Sequence, residues 1–170
     1  MLTREDAISI LHKNHCPENV IRHCTCVADY SVKLATKIRE TGHPVNVSFI
    51  EAAAMLHDIG RCKTHSLKHG IEGARILADY PEYARVCERH IGAGLTENEA
   101  SGLGLPAKDY IPETLEEKII AHADNVTVED RIVSVDEALS HLEKHLGVGH
   151  PGLERVKALA DEINRLSGWV

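Results

Sequence analysis

Between Pro17 and Glu40 the apolar residues Val20, Val27, Tyr30, Leu34 and Ile38 recur at spacings of three, four and seven. That is the period of one buried face on an α-helix. Similar spacing returns along the chain, and each segment carries its own start or stop signal. Thr3 with an acid three residues on opens a short helix that reaches about Asn14, and Pro17 suits the first position of the long one. Thr41-Gly42 and Pro44 end it, and Asn46 or Ser48 caps a third helix over Phe49 to Asp58. Ser66 opens a helix running to Tyr80, Pro81 precedes a short one over Glu82 to Ile91, and Thr114 caps one that ends at Asp124. Ser134 caps a helix carrying Leu139, Leu142 and Leu146, and Pro151 starts the last, with Leu153, Val156, Leu159, Ile163 and Leu166 at helical spacing. No strand alternation and no internal repeat is present. The expectation is an all-α, single-domain helical bundle over residues 1–170, its last two helices covering about 134–168.

Two stretches depart from that pattern. Gly92 to Pro112 holds four Gly and two Pro and reads as an irregular loop or lid with one short turn. In the segment after Ser66, Gly70 and Gly73 stand inside a helix, where each costs about 1 kcal/mol against Ala. Close packing against that face would account for them.

Composition excludes several functions. A formal charge of −7 argues against a general nucleic-acid surface, which needs a basic patch. Five cysteines without a C-x-x-C spacing read as buried, reduced thiols of a cytoplasmic chain. No leader is recognisable and no apolar run reaches about 18 residues, so no membrane association is expected. Aromatics make up 4%, leaving the core to Leu, Ile, Val and Ala, whereas twelve histidines are an unusual load.

Six polar residues sit awkwardly on apolar helical faces or at their ends: His23, His57, Asp58, His69, His90 and Asp124. They supply four imidazoles and two carboxylates from five helices, a set that a bundle can gather into its core. Without thiolate, such donors suit Fe, Mn, Co, Ni or Zn. Arg61 and Lys63 follow the His57-Asp58 pair directly and are candidates for holding a phosphate. His65 is open to three roles: an outer contact, a proton donor to a leaving group, or a ligand in place of His69. His122 reads as structural, and His12, His15, His43, His141, His145 and His150 receive no role.

His23, then His57-Asp58 spelled H-D-I-G, then Asp124, in that order on successive helices, resembles the HD-domain metal-dependent phosphohydrolase superfamily. The resemblance covers about residues 17–135 and implies an all-α bundle. It implies that His23, His57, Asp58 and Asp124 hold a first metal, and that His69 and His90 match the added histidines of two-metal members, with Asp58 bridging two divalent ions. In its metal pattern the chain is similar to bacterial HD enzymes that split diadenosine tetraphosphate. It lacks the G-Y-P signature of certain cyclic-dinucleotide phosphodiesterases. The activity so implied is hydrolysis of a nucleotide or related small phosphoester by metal-activated water, with Asp58 and His57 at the reacting centre and Arg61, Lys63 and His65 on the substrate. A phosphodiesterase acting on RNA ends, using a patch of Arg61, Lys63, Lys68, Arg85 and Arg89, and a nucleotide sensor without turnover are the alternatives. A homodimer is compatible with all three.

Overall fold

The computed structural model describes residues 1–168; Trp169 and Val170 lie outside the described residues. The helices are α1 (Arg4–Lys13), α2 (Glu18–Glu40), α3 (Val47–Leu56), α4 (His69–Ile76), α5 (Pro81–Arg89), α6 (Glu97–Gly102), α7 (Leu115–Asn125), α8 (Val135–Leu146) and α9 (Pro151–Ser167). A 3-10 turn, Ile59–Cys62, follows α3, and the antiparallel pair β1 (Thr127–Val128) and β2 (Arg131–Ile132) follows α7.

Most starts obey the local chemistry of their capping residues. Thr3, Thr96 and Thr114 each accept from the backbone three residues on, and the acid at that position reaches back to the cap. Asn46 caps α3, Ser134 caps α8, and Pro81 and Pro151 occupy first-turn positions. Several boundaries differ from the sequence reading; α5, for one, takes in Pro81 and ends at Arg89. Pro17 is the cap of α2 with extended backbone, one residue ahead of the first turn. The cap of α4 is Lys68 rather than Ser66, and the helix stops at Ile76, because residues 63–68 follow the 3-10 turn as loop. The short hairpin after α7 was not foreseen, since two-residue strands carry no alternation to read.

α2 is the central post. It packs against α3, α7 and α9, burying Val20, Val27, Leu34 and Ile38 against Ile50, Leu56, Ile119, Ile120 and Ile163. α1 lies across α3 and is tied down by Arg4, which reaches Asp29 of α2 at 2.7 Å and Glu51 of α3 at 3.2 Å. The small residues Ala52, Ala53 and Ala54 are buried in α3, where the helices meet. α4 and α5 pack on one another, and α4 also lies on the 3-10 turn. α8 packs on α9, which closes the core against α2 and α7.

The third helix, expected to reach Asp58 with a glycine just beyond, stops earlier. The helix ends at Leu56, His57 is its cap, and Gly60 lies inside the 3-10 turn. An added Cβ there would stand 1.9 Å from the His69 carbonyl oxygen and 2.5 Å from the Gly73 nitrogen. Across the next interface, a Cβ on Gly70 would meet the Cys87 carbonyl oxygen at 2.7 Å. These glycines let three backbones approach within contact distance, and that approach brings His69 and His90 to Asp58.

Candidate metal centre

The C-terminal ends of α3, α5 and α7 converge, carrying His57, His90 and Asp124, with His23 from α2 and His69 from the first position of α4. Helix C-termini carry partial negative charge, so three meeting at one place favour a cation. His57, Asp58, His69 and His90 are buried, and His23 and Asp124 are partly open to a cleft.

All four imidazoles are held the same way. Each donates Nδ1–H to a backbone carbonyl: His57 to Ala54 at 2.6 Å, His69 to Ser66 at 2.7 Å, His90 to Cys87 at 2.8 Å and His23 to Glu129 at 2.7 Å. A carbonyl can only accept, so each Nδ1 carries a proton and each ring turns its Nε2 towards the centre. The four Nε2 atoms face the two carboxylates. Glu129 supplies its carbonyl from the hairpin turn with φ +59°, a left-handed conformation uncommon for a residue with a side chain.

The donor atoms sort around the two oxygens of Asp58. Oδ1 stands 3.2 Å from His69 Nε2 and 3.3 Å from His90 Nε2. Oδ2 is 3.9 Å from both His23 Nε2 and His57 Nε2, and Asp124 Oδ1 closes that side at 2.9 Å from His23 and 3.4 Å from His57. Ligands about 2.1 Å from one cation lie roughly 3.0–3.4 Å from each other. The donor set therefore fits a divalent metal. Two further observations agree. His57 Nε2 and Asp58 Oδ1 are buried without a hydrogen-bond partner. His69 Nε2 and His90 Nε2 face one another at 3.1 Å, which two lone pairs tolerate only with a cation or a proton between them.

Electrostatics keep the set ready. Burial opposes the charge on Asp58, but His57, His69 and His90 hold its carboxyl well below the ordinary range. Asp124 is held low against burial in the same way by its bond to His23 and the nearby His57. Burial pushes His90 down, favouring the neutral, ligating ring. His57 is drawn well above its usual value, burial being outweighed by the Cys24 sulfur and the carboxylates of Asp58 and Asp124. His122, buried one turn away, is pushed down to about 4 by burial and stands outside the cluster.

Above the cluster opens a cleft of about 830 Å³. Arg61 lines it and forms an ion pair through Nε with Asp58 Oδ2. His65 is exposed at its edge and is not among the clustered donors, whereas His69 is. Lys63 is exposed and does not line the cleft. Arg89 binds Glu113 at 2.8 Å and Glu117 at 3.1 Å, and Arg85 binds Glu117 at 3.4 Å, so both are engaged structurally. Sequence reasoning missed α8: Ala138, His141, Leu142 and His145 line the cleft. Their signal was spacing, since positions 138, 141, 142 and 145 share one helical face. The five cysteines are free thiols, and among the described residues no helix is long and apolar enough to cross a membrane.

This is the fold and donor constellation of an HD domain. Residues 20–129 match the family model so described, and the chain belongs to that family. An uncharacterized protein of Methanocaldococcus jannaschii is 48% identical, over 95% of this chain and 97% of its own length. Two further relatives are named tRNA (cytidine(56)-2′-O)-methyltransferase. The Picrophilus torridus protein is 39% identical over 96% of this chain, the Thermoplasma volcanium protein 33% over 82%. The chain spans 47% and 41% of those two relatives, less than half of each. Among solved structures, the HD domain of the L. monocytogenes phosphodiesterase PgpH aligns with TM-score 0.53 at 18% identity, covering 94% of this chain and 97% of that one. That likeness concerns the fold.

Proposed function

We propose that the protein is a metal-dependent phosphohydrolase acting on a nucleotide or related small phosphoester. The single observation that carries this reading is the set of four Nδ1-anchored imidazoles presenting Nε2 to two ionised carboxylates beneath a cleft. His23, His57, Asp58 and Asp124 would hold one divalent ion, and Asp58, His69 and His90 a second, with Asp58 shared. When bound, such ions lower the pKa of water towards neutrality and stabilise charge on phosphate oxygens. Fe, Mn, Co, Ni and Zn all suit the donors.

The chain's own groups supply the rest. The carbonyl anchors fix each ring before any ligand arrives, so little reorientation accompanies binding. Arg61 engages Asp58 through Nε, which leaves its terminal nitrogens for a phosphate in the cleft. His65 lines the cleft, and in this reading it would give a proton to the leaving oxygen. Lys63, outside the cleft lining, has no part in this reading.

A second substrate class, an RNA phosphoester, is favoured by one observation: two relatives that contain a matching segment are named as tRNA methyltransferases. The engagement of Arg85 and Arg89 with acids removes two of the five residues of the basic patch such a substrate would use. Binding to tRNA that falls steeply with salt would favour this class.

The test is elemental analysis of protein purified without chelator, beside Asp58→Ala, His69→Ala and His90→Ala variants. About two ions per chain are expected, falling to about one in both histidine variants and to none in Asp58→Ala, with helical content retained and turnover lost. Full activity in Asp58→Ala would sink the assignment.

A further inference from the structure

The family match ends at residue 129, but the cleft does not. Its wall continues onto α8, where Ala138, His141, Leu142 and His145 form one face at i, i+3, i+4 and i+7. The two imidazoles are exposed, one turn apart, with ring centroids 5.9 Å from each other and planes tilted by 60°. Leu142 and Ala138 complete an apolar strip beside them. The same cleft is lined by Glu129 and Asp130, and Arg22, which also lines it, lies 3.6 Å from Asp130. A second phosphate or other anion would meet those carboxylates. A neutral, planar, aromatic group would meet rings and methyls to stack on, with carboxylate acceptors for its amino edge. At about 830 Å³ the cleft lies within the range of roughly 300–1,000 Å³ that small-molecule sites occupy.

We propose that this face of α8 is the seat of a nucleobase, so that α8 selects nucleoside phosphates over other phosphoesters. The inference rests on the proposed reading of the His/Asp centre: phosphate at the centre, base against His141 and His145. Stacking surfaces of this kind tolerate any base and distinguish base from no base.

The experiment uses the full, metal-loaded chain with adenosine monophosphate and glycerol 3-phosphate as competing substrates. It compares wild type, the double variant His141→Ala/His145→Ala and the double variant His141→Phe/His145→Phe. In the alanine variant KM for adenosine monophosphate should rise about tenfold with kcat changed by less than about twofold, so that the preference over glycerol 3-phosphate falls about tenfold. Phenylalanine, which keeps the stacking face, should restore the preference. An unchanged preference in the alanine variant, or phenylalanine failing to restore it, would overturn the proposal. Should neither compound be hydrolysed, the hydrolase reading fails separately, and the seat is tested by fluorescence of 2-aminopurine riboside 5′-monophosphate. Quenching by wild type and its loss in the alanine variant would support the seat; equal quenching, or none by wild type, would overturn it.

Discussion

Replacing Gly60 with alanine tests how the centre is assembled. The new Cβ would lie 1.9 Å from the His69 carbonyl oxygen, 2.5 Å from the Gly73 nitrogen and 2.8 Å from the His69 carbonyl carbon. Non-bonded carbon contacts begin at about 3.0–3.4 Å, so a shift of about 1 Å or more is needed, and every colliding atom is backbone. No rotamer change can relieve it: α4 must move off the 3-10 turn as a body. Overpacking costs typically about 1–3 kcal/mol, and a backbone collision belongs at the upper end. For a chain of this size about 3 kcal/mol corresponds to a melting point lower by about 6–12 °C. The same displacement carries His69 away from Asp58 Oδ1, now 3.2 Å distant, so the site served by His69 and His90 should lose its ion. Thermal unfolding by circular dichroism, with metal counted per chain, reads both effects. Gly102→Ala is the control: nothing lies within 4 Å of its Cβ, and its melting point should hold or rise slightly. A Gly60→Ala protein melting within about 2 °C of wild type with full metal content would refute the close-approach account.

Two further predictions concern carboxylates that tie helix starts to neighbouring elements. Glu117 is a buried carboxylate that accepts from Arg85, Arg89 and the backbone of Glu113 and Thr114. Glu117→Ala should destabilise by about 3 kcal/mol and Glu117→Gln by clearly less, read by urea denaturation; equal costs would show that the charge is not what matters. Glu99 pins the segment over residues 93–105 by capping Thr96 and by binding Arg155 of α9 at 2.8 Å. Its bond to the Thr96 backbone and its contact with Arg155 outweigh burial and lower its pKa, so its contribution is present above the ordinary glutamate value of about 4.3 and is lost as pH falls through the depressed one. The advantage of wild type over Glu99→Gln, about 1 kcal/mol at pH near 7, should therefore shrink on acidification. A gap that widened towards acid in urea titrations would contradict it.

The features legible in the sequence were those encoded locally. Thr3, Asn46, Thr114 and Ser134 announce helix starts through side chains that bond three residues away, and the structure uses each one so. His23, His57, Asp58, His69, His90 and Asp124 stood out because each is polar where the helical period demands an apolar residue, and the fold brings all six together. What the sequence concealed depended on distant backbone. Gly60 looks like a helix stop, and only the approach of α4 shows it to be a contact point. Lys63 sits two residues from Arg61, yet the 3-10 turn gives them different surroundings. His141 and His145 looked like solvent histidines because the cleft they face is assembled from separate segments, residues 19–23, 58–69, 90–92 and 124–130.

One consequence follows from the way the four imidazoles are anchored. Each proton acceptor behind a ring is a main-chain carbonyl, three of them one turn back in the same segment. Substitution replaces a side chain and leaves such a backbone acceptor in place. The basicity of the rings is thus insulated from drift at neighbouring side chains. Divergent copies of this chain could change cleft walls freely while inheriting a centre of constant electronic character, and variation in metal preference would have to arise at the few side chains in direct touch with it, Arg61 and Cys24 foremost.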